Sequence, residues 1–335
     1  MTGIGIIGFG YWGPNLLRNF ASVENAKVVG VADLREERYL KSARMYPSVK
    51  FTKNADELIS DPAIDAIVIA TPVSFHFPLA LRALDAGKHV MVEKPLAATG
   101  MECETLINRA LRKNLVLMVD HTFLYTGAVR KLKELIKADE LGTVKYYDST
   151  RINLGLFQSD VNVLWDLAPH DISILLHLIP EDPVSLNATG ISHTANGIEN
   201  IAYMTLKYGS GLIAHFNCSW TSPVKIRQIL IGGDKKMILF NDMEPSEKIK
   251  VYDSGYSQKS DEEKRQVLIA YRTGDVFSPK IEIGEALQGV ANDFIQAITK
   301  KTKPVSDYTI GMKVVRILEA ANESLKKSGS EINLL

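Results

Sequence analysis

Ile4-Gly5-Ile6-Ile7-Gly8-Phe9-Gly10-Tyr11-Trp12-Gly13 opens the chain with a short apolar strand that runs into G-x-G-x-x-G and then into a helix-like stretch, Pro14 to Phe20. A second apolar run, Lys27 to Ala32, leads to an acid, Asp33, twenty-five positions after Gly8. Strand, glycine turn, helix and acid at this spacing form a dinucleotide-binding fingerprint in its required context. Gly8 permits the tight turn out of the strand. Gly10 lets a pyrophosphate approach the backbone, and Gly13 lets the helix pack close to the sheet. The helix start offers free N–H groups and a positive dipole end. Pro14 suits the first helical turn, where a missing N–H costs nothing. Asp33 can accept hydrogen bonds from an adenosine ribose and repels a 2′-phosphate, so NAD is expected over NADP. Arg35 works the other way, since its guanidinium can pair with a 2′-phosphate. The plain alternative is a glycine-rich turn that has lost its ligand.

Outward from this stretch, strand and helix patterns alternate through the first third. Apolar runs at Ile4–Ile7, 27–32, 66–70, 89–92 and 116–119 are separated by helical patterns at 15–22, 36–45, 56–59, 78–86 and 102–113. Such alternation means βαβ units and a parallel sheet covered on both faces. From about residue 120 the pattern changes. Helical segments at 128–136 and 166–178 are followed by β-rich runs at 184–192, 199–208, 211–219, 225–232, 235–241 and 248–252. Turns such as Tyr208-Gly209-Ser210-Gly211 separate consecutive strands, which predicts a mainly antiparallel sheet with one open face. Residues 253–265 read as a polar, solvated loop, and two helices, 284–300 and 310–327, end the chain. The expected fold class is α/β: a Rossmann domain over 1–120, then a second α/β domain over 121–335 with a large open sheet.

The 335 residues are 46% hydrophobic, enough for two cores. Lys+Arg and Asp+Glu both total 39, so no basic excess points to nucleic acid. Two cysteines, Cys103 and Cys218, exclude a disulfide framework and fit a reducing cytoplasm. A strand beginning almost at Met1 leaves no room for a signal peptide, and no apolar run approaches the roughly 20 residues that span a bilayer. A cytoplasmic protein without nucleic-acid or membrane partners is expected.

Chemistry-bearing residue types gather in four places. Ala70-Thr71-Pro72, with His76 after it, lies at the carboxyl end of a strand, where open α/β sheets bind ligands. Glu93-Lys94-Pro95 ends the next strand, and a lysine there faces the cleft; partly buried lysines serve in proton transfer. A surface lysine in a turn is the bland reading. Asp166 and His170, at i and i+4, share a helix face, so the carboxylate can orient the imidazole as a general base. A helix cap and a core histidine would give the same spacing. Asp171 can be structural, and His177 reads as packed or at the rim. Asp120-His121-Thr122-Phe123-Leu124-Tyr125 and Arg151-Ile152-Asn153 mix aromatics with polar donors, as a sugar or nucleotide-sugar pocket needs, or as a domain-interface core would.

Taken in order and spacing, the glycine loop, Ala70-Thr71-Pro72 with His76, Glu93-Lys94-Pro95 and Asp166-x-x-x-His170 resemble the glucose–fructose oxidoreductase/inositol dehydrogenase/rhizopine catabolism (Gfo/Idh/MocA) family over essentially the whole chain. Gly10-Tyr11-Trp12-Gly13-Pro14-Asn15, His121-Thr122-Phe123-Leu124-Tyr125 and Trp165-Asp166-Leu167-Ala168-Pro169-His170-Asp171 look like a subgroup associated with nucleotide sugars for surface polysaccharides. The resemblance implies that Lys94 and His170 touch the reacting hydroxyl with Asp166 in support, that Pro95 follows a cis bond, and that the last helix, about 307–328, packs back on the first domain. It also implies a homodimer or homotetramer through the second sheet. The cofactor set it implies is Gly8, Phe9, Gly10, Tyr11, Trp12, Gly13, Asp33, Leu34, Ala70, Thr71, Pro72, His76, Glu93, Lys94 and His121. The substrate set, expected from the aromatic and polar segments together with the helix that carries His170, is Phe123, Tyr125, Arg151, Asn153, Trp165 and His170. At 120–125 many sugar oxidoreductases of the family carry an Asn-Arg-type run instead, so their substrate contacts do not transfer.

The expected activity is NAD-dependent oxidation of a secondary hydroxyl of a sugar, a nucleotide-linked one first. Lys94 supplies the positive charge, so this reading calls for no metal. A keto-sugar reductase, an inositol or polyol dehydrogenase, and a non-catalytic NAD-binding regulator are the alternatives.

Overall fold

In a computed structural model, which describes residues 1–155, 157–257, 270–272 and 274–334, the chain forms two units. The first comprises Met1–Thr126 and Gly284–Arg316, the second Gly127–Ile283 and Ile317–Leu335.

The first unit holds a six-stranded sheet: β1 (Thr2–Ile7), β2 (Ala26–Ala32), β3 (Lys50–Thr52), β4 (Ala66–Ile69), β5 (His89–Glu93) and β6 (Leu117–Asp120). Its order is β3-β2-β1-β4-β5-β6, and every pair is parallel. The order reverses between β1 and β4, the crevice at which such sheets bind ligands. The apolar runs are buried throughout β1 and β4, as strands covered on both faces must be. Helices α1 (Gly13–Ser22), α2 (Glu36–Ala43), α3 (Ala55–Ser60), α4 (His76–Asp85) and α5 (Gly100–Lys113) connect them. Local chemistry sets their ends. Thr99 caps α5 by accepting from the Glu102 N–H at 3.2 Å, and Glu102 accepts from Ala98 N at 3.0 Å. Asn114, left-handed at φ 52°, ends the same helix.

The second unit carries α6 (Gly127–Lys137), β7 (Val144–Leu154), α7 (Val163–Leu178), β8 (Pro183–Ile191), β9 (Ile201–Tyr208), β10 (Ile213–Ser219), β11 (Thr221–Gly233), β12 (Met237–Asn241) and β13 (Ile249–Tyr252). Gly255–Ser257 (β14) pairs with Ala270–Arg272 (β15), and Val276–Phe277 (β16) and Ile332–Asn333 (β17) are edge strands of the main sheet. That sheet has nine strands in the order β16-β13-β12-β11-β7-β10-β9-β8-β17, antiparallel except between β7 and β10. Side chains alternate across it. Tyr147, Ser149, Arg151, Ala202, Met204, Leu206, Ala214 and Phe216 are buried on the side where α7 packs, while Tyr146, Tyr203 and Ile213 are exposed.

Two features depart from the sequence reading. The first unit extends to Thr126 rather than 120, and α8 (Ala286–Lys300), expected in the second domain, belongs to the first. Phe294 packs edge-on against Phe20 at 6.2 Å, Glu285 accepts from Arg18 and Asn19, and the Tyr125 hydroxyl donates to Asp293 at 2.7 Å. The last helix, α9 (Tyr308–Lys326), contributes only its first part, to Arg316, to this unit. Of the polar loop expected at 253–265, residues 258–265 lie outside the described residues. Among the described residues, no helix is long and apolar enough to cross a membrane.

Candidate active site

The carboxyl ends of β1, β4, β5 and β6 line up four groups of functional residues in the first unit. At β1, Gly8 has φ +96°, and a Cβ there would lie 2.4 Å from the Ala70 carbonyl oxygen, so the loop and the end of β4 touch backbone to backbone. A Cβ on Gly10 would meet only the Arg38 guanidinium, at 3.3 Å, which leaves that backbone open to an approaching ligand. No side chain caps α1, so its first N–H groups are unclaimed by a cap. This cradle fits a pyrophosphate. The Phe9 ring is core, edge-on to Tyr39 at 5.7 Å, and its N–H donates to Asp33 Oδ2 at 2.7 Å. Arg35 N donates to Asp33 Oδ1 at 2.8 Å, so two backbone donors aim the carboxylate. The Arg38 and Arg35 guanidinium groups stand 3.8 and 3.9 Å from it. Tyr11, Trp12 and Leu34 are exposed around the loop, with the Tyr11 and Trp12 rings edge to face at 5.3 Å.

At the end of β4, Thr71 Oγ1 is buried with no hydrogen-bond partner. His76 is buried between two carbonyls, with Nδ1 2.8 Å from Pro95 O and Nε2 2.8 Å from Thr71 O. It braces the loops after β4 and β5 rather than presenting a free ring to a ligand. Burial is the largest influence on its imidazole and holds the pKa below its ordinary value. Lys94 follows β5, partly exposed, and the Lys94–Pro95 bond is cis.

His121 ends the row. It is 1% exposed, and neither ring nitrogen has a partner. Burial, then the Lys94 charge, pulls its pKa down to about 3, so the ring is neutral at any working pH and offers one donor and one acceptor. Orphaned buried polar atoms are rare, and here Thr71 and His121 carry three of them beside an open phosphate cradle. A planar amide such as that of nicotinamide, with a donor and an acceptor of its own, fits this set.

The second unit holds the other cluster. Asn162 caps α7 by accepting from Trp165 N at 3.2 Å, which places Asp166 in the first turn and His170 one turn later, both partly exposed. The Trp220 indole, buried in the bend between β10 and β11, donates to Asp166 Oδ2 at 2.9 Å. Nothing in the sequence pattern linked Trp220 to α7; the link exists because α7 lies on β10. The next residue, Asp171, is turned into the fold. It accepts from Ser149 at 2.8 Å and from Arg151 Nε and Nη2 at 2.9 and 2.6 Å. Arg151, expected at the substrate, is thus committed to a buried ion pair that pins α7 to β7. Tyr125, also expected there, is buried with its hydroxyl on Asp293 and accepting from Ser306 N at 3.2 Å. Burial is the first cause that pushes its pKa far above the phenol range. Phe123 and Asn153 are partly exposed, and Trp165 is buried with its indole N–H unpartnered.

Residues 2–121 match the oxidoreductase family described by an NAD-binding Rossmann fold, and residues 129–239 match the Gfo/Idh/MocA C-terminal domain. The chain belongs to the Gfo/Idh/MocA oxidoreductase family. Within the family it is similar to a UDP-N-acetylglucosamine 3-dehydrogenase of Acidithiobacillus ferrooxidans, 30% identical over 213 residues, which are 62% of this chain and 64% of that one. It is also similar to the scyllo-inositol 2-dehydrogenase (NADP(+)) of Bacillus subtilis, 24% identical over 97% of this chain and 94% of the other. A levoglucosan dehydrogenase solved with NADH and levoglucosan shares the fold, with a TM-score of 0.82 at 22% identity over 99% of both chains.

Proposed function

We propose that this Gfo/Idh/MocA member oxidises a secondary hydroxyl of a nucleotide-linked sugar with NAD as hydride acceptor. One observation carries the reading: the open glycine cradle, the orphaned Thr71 hydroxyl, Lys94 and neutral His121 stand in sequence along adjacent strand ends of one sheet. The dinucleotide, when bound, supplies the hydride-accepting carbon. Gly8, Gly10 and the start of α1 hold its phosphates, and Asp33 takes the adenosine ribose. Thr71 and His121 satisfy the carboxamide and fix the ring. Lys94, as an ammonium, donates to the substrate oxygen and stabilises the charge that grows there. His170 accepts the hydroxyl proton, while Asp166, aimed by Trp220, orients the imidazole. Asp33 sets a negative charge where a 2′-phosphate would sit, which favours NAD. Tighter binding of NADP than of NAD in a fluorescence titration would overturn that preference.

The similarity to a UDP-sugar dehydrogenase supports a nucleotide-linked substrate. A second reading, an inositol or polyol dehydrogenase, draws on the full-length match to the inositol enzyme. A panel of UDP- and dTDP-sugars, free sugars and inositols, followed by NADH formation, separates the two. Turnover confined to inositols or free sugars would replace the first reading. The exposed face of the nine-stranded sheet, with Tyr146, Tyr203 and Ile213, is proposed to be covered by a second copy of the chain. A monomer by light scattering at micromolar concentration would remove that part.

A further inference from the structure

Strand β11 runs antiparallel to β7, with Arg227 directly opposite Arg151. Residues opposite one another leave the sheet on the same face, from Cβ atoms about 4.5–5.5 Å apart. Arg227 therefore stands beside Arg151 on the face where α7 packs. The two arginines are spent differently. Arg151 is buried and places Nε and Nη2 on Asp171 at 2.9 and 2.6 Å. Arg227 has a buried Nε with no hydrogen-bond partner. Its Nη1 stands 3.5 Å from Asp242 Oδ2, longer than the roughly 2.7–2.9 Å of a charge-assisted bond. The side chain is 32% exposed, so a ligand can reach it.

The acids around Arg227 are otherwise engaged. Asp242 also accepts from the Lys248 ammonium, at 2.6 Å on its backbone oxygen and 3.2 Å on Oδ1, so one carboxylate answers two cations. Glu244 accepts from Ser246, Glu247 pairs with Lys250 at 3.0 Å, and Asp171 belongs to Arg151. A buried donor left short calls for an acceptor. A guanidinium offers a planar fork that matches the oxygens of a phosphate. The position fits as well. Asp171, gripped by Arg151, is the chain neighbour of His170, so Arg227 lies one strand across from the ion pair that fixes the helix carrying His170. All of these residues belong to the second unit. A nucleotide-linked sugar carries its diphosphate on the anomeric carbon, displaced from the secondary hydroxyl that is oxidised. An anion site beside the His170 helix, but off it, is what such a substrate requires.

We propose that Arg227 is a substrate-binding residue that donates to a diphosphate oxygen of a nucleotide-linked sugar, and that this contact selects such substrates over free sugars and inositols. This role rests on the reading of the substrate as nucleotide-linked. The diphosphate does not react, so Arg227 contributes to binding and not to the hydride step.

The test is calorimetric titration of the full chain, saturated with NAD so that the dinucleotide cradle is filled, with UDP, uridine and inorganic phosphate as probes. Wild-type protein should bind UDP at least about tenfold more tightly than either of the other two. Arg227→Gln should weaken UDP at least about tenfold, the loss of one hydrogen bond between charged groups, and leave uridine unchanged. A variant that binds UDP as tightly as the wild type overturns the role of Arg227 and leaves the nucleotide-linked reading standing. UDP no tighter than phosphate on the wild type marks a general anion site, and no UDP binding at all removes the nucleotide-linked substrate; either overturns the role. Should Arg227→Gln fail to fold, Arg227→Lys, which keeps the charge but not the fork, decides by the same comparison. In turnover of a UDP-sugar, Arg227→Gln should raise KM at least about tenfold with kcat within about twofold. A fall in kcat at unchanged KM would place Arg227 at the hydroxyl rather than the diphosphate and overturns it.

Discussion

The two sheets treat their buried acids in opposite ways. In the second, Asp171 accepts two bonds from Arg151 and one from Ser149, so charge and lone pairs are matched. In the first, buried Asp120 leaves its Oδ2 without a partner, and the adjacent His121 has none on either ring nitrogen. A buried polar group that is fully paired specifies packing; one left short is held for a ligand or for proton chemistry. The contrast explains why Arg151, a residue type suited to substrates, serves the fold here.

The comparison can be broken most sharply at Lys94. Lys94→Ala should lose roughly 10²–10⁴ in the rate of hydride transfer while still binding NAD, and His170→Asn should do the same. Near-normal single-turnover rates in both would remove them from the mechanism. On the structural side, Arg151→Met leaves Asp171 charged and buried, which should cost about 3–5 kcal/mol in urea unfolding. Replacing Asp171 by Leu in the same chain should recover most of that loss. A single variant as stable as the wild type would show that the pair does not hold α7 to β7.

Smaller effects sharpen the contrast. Trp220→Phe removes a donor to a charged carboxylate, worth about 1.5–3 kcal/mol, so kcat should fall at least about tenfold. NAD affinity should not change, and a drop in NAD affinity instead would point away from Asp166. His121→Phe should be the mildest, weakening NAD binding about tenfold by loss of one hydrogen bond. Its stability should also respond to pH. The folded-state pKa of about 3 lies below the ordinary 6.5, so the folded protein binds fewer protons there, and stability held near neutral pH is lost as pH falls from about 6.5 towards 3. Thermal melts of the Phe variant should decline less over that window; parallel curves would show that His121 is not buried as described.

Much of the first unit was legible because its signals are local. The strand, glycine turn and helix at residues 4–20 carry their own geometry, and continuous apolar runs mark strands covered on both faces. β3 was not, because three residues hold no period to read. α8 has a clear helical pattern, yet its partner is Phe20, 274 positions earlier by subtraction from Phe294, and periodicity is silent about partners. Lys94, Asp166 and His170 could be chosen from strand-end position and i,i+4 spacing, whereas Trp220 needed the packing of α7 on β10.

By itself the sequence determined the parallel order of a dinucleotide-type sheet, the open second sheet and the residue types offered for proton and hydride chemistry, since these follow from periods of two and 3.6 residues and from turn chemistry. Tertiary structure alone decided which buried acid meets a guanidinium and which is left with an unpartnered oxygen. Those outcomes depend on strand register and helix packing, where a shift of one residue would send Asp120 to the opposite face.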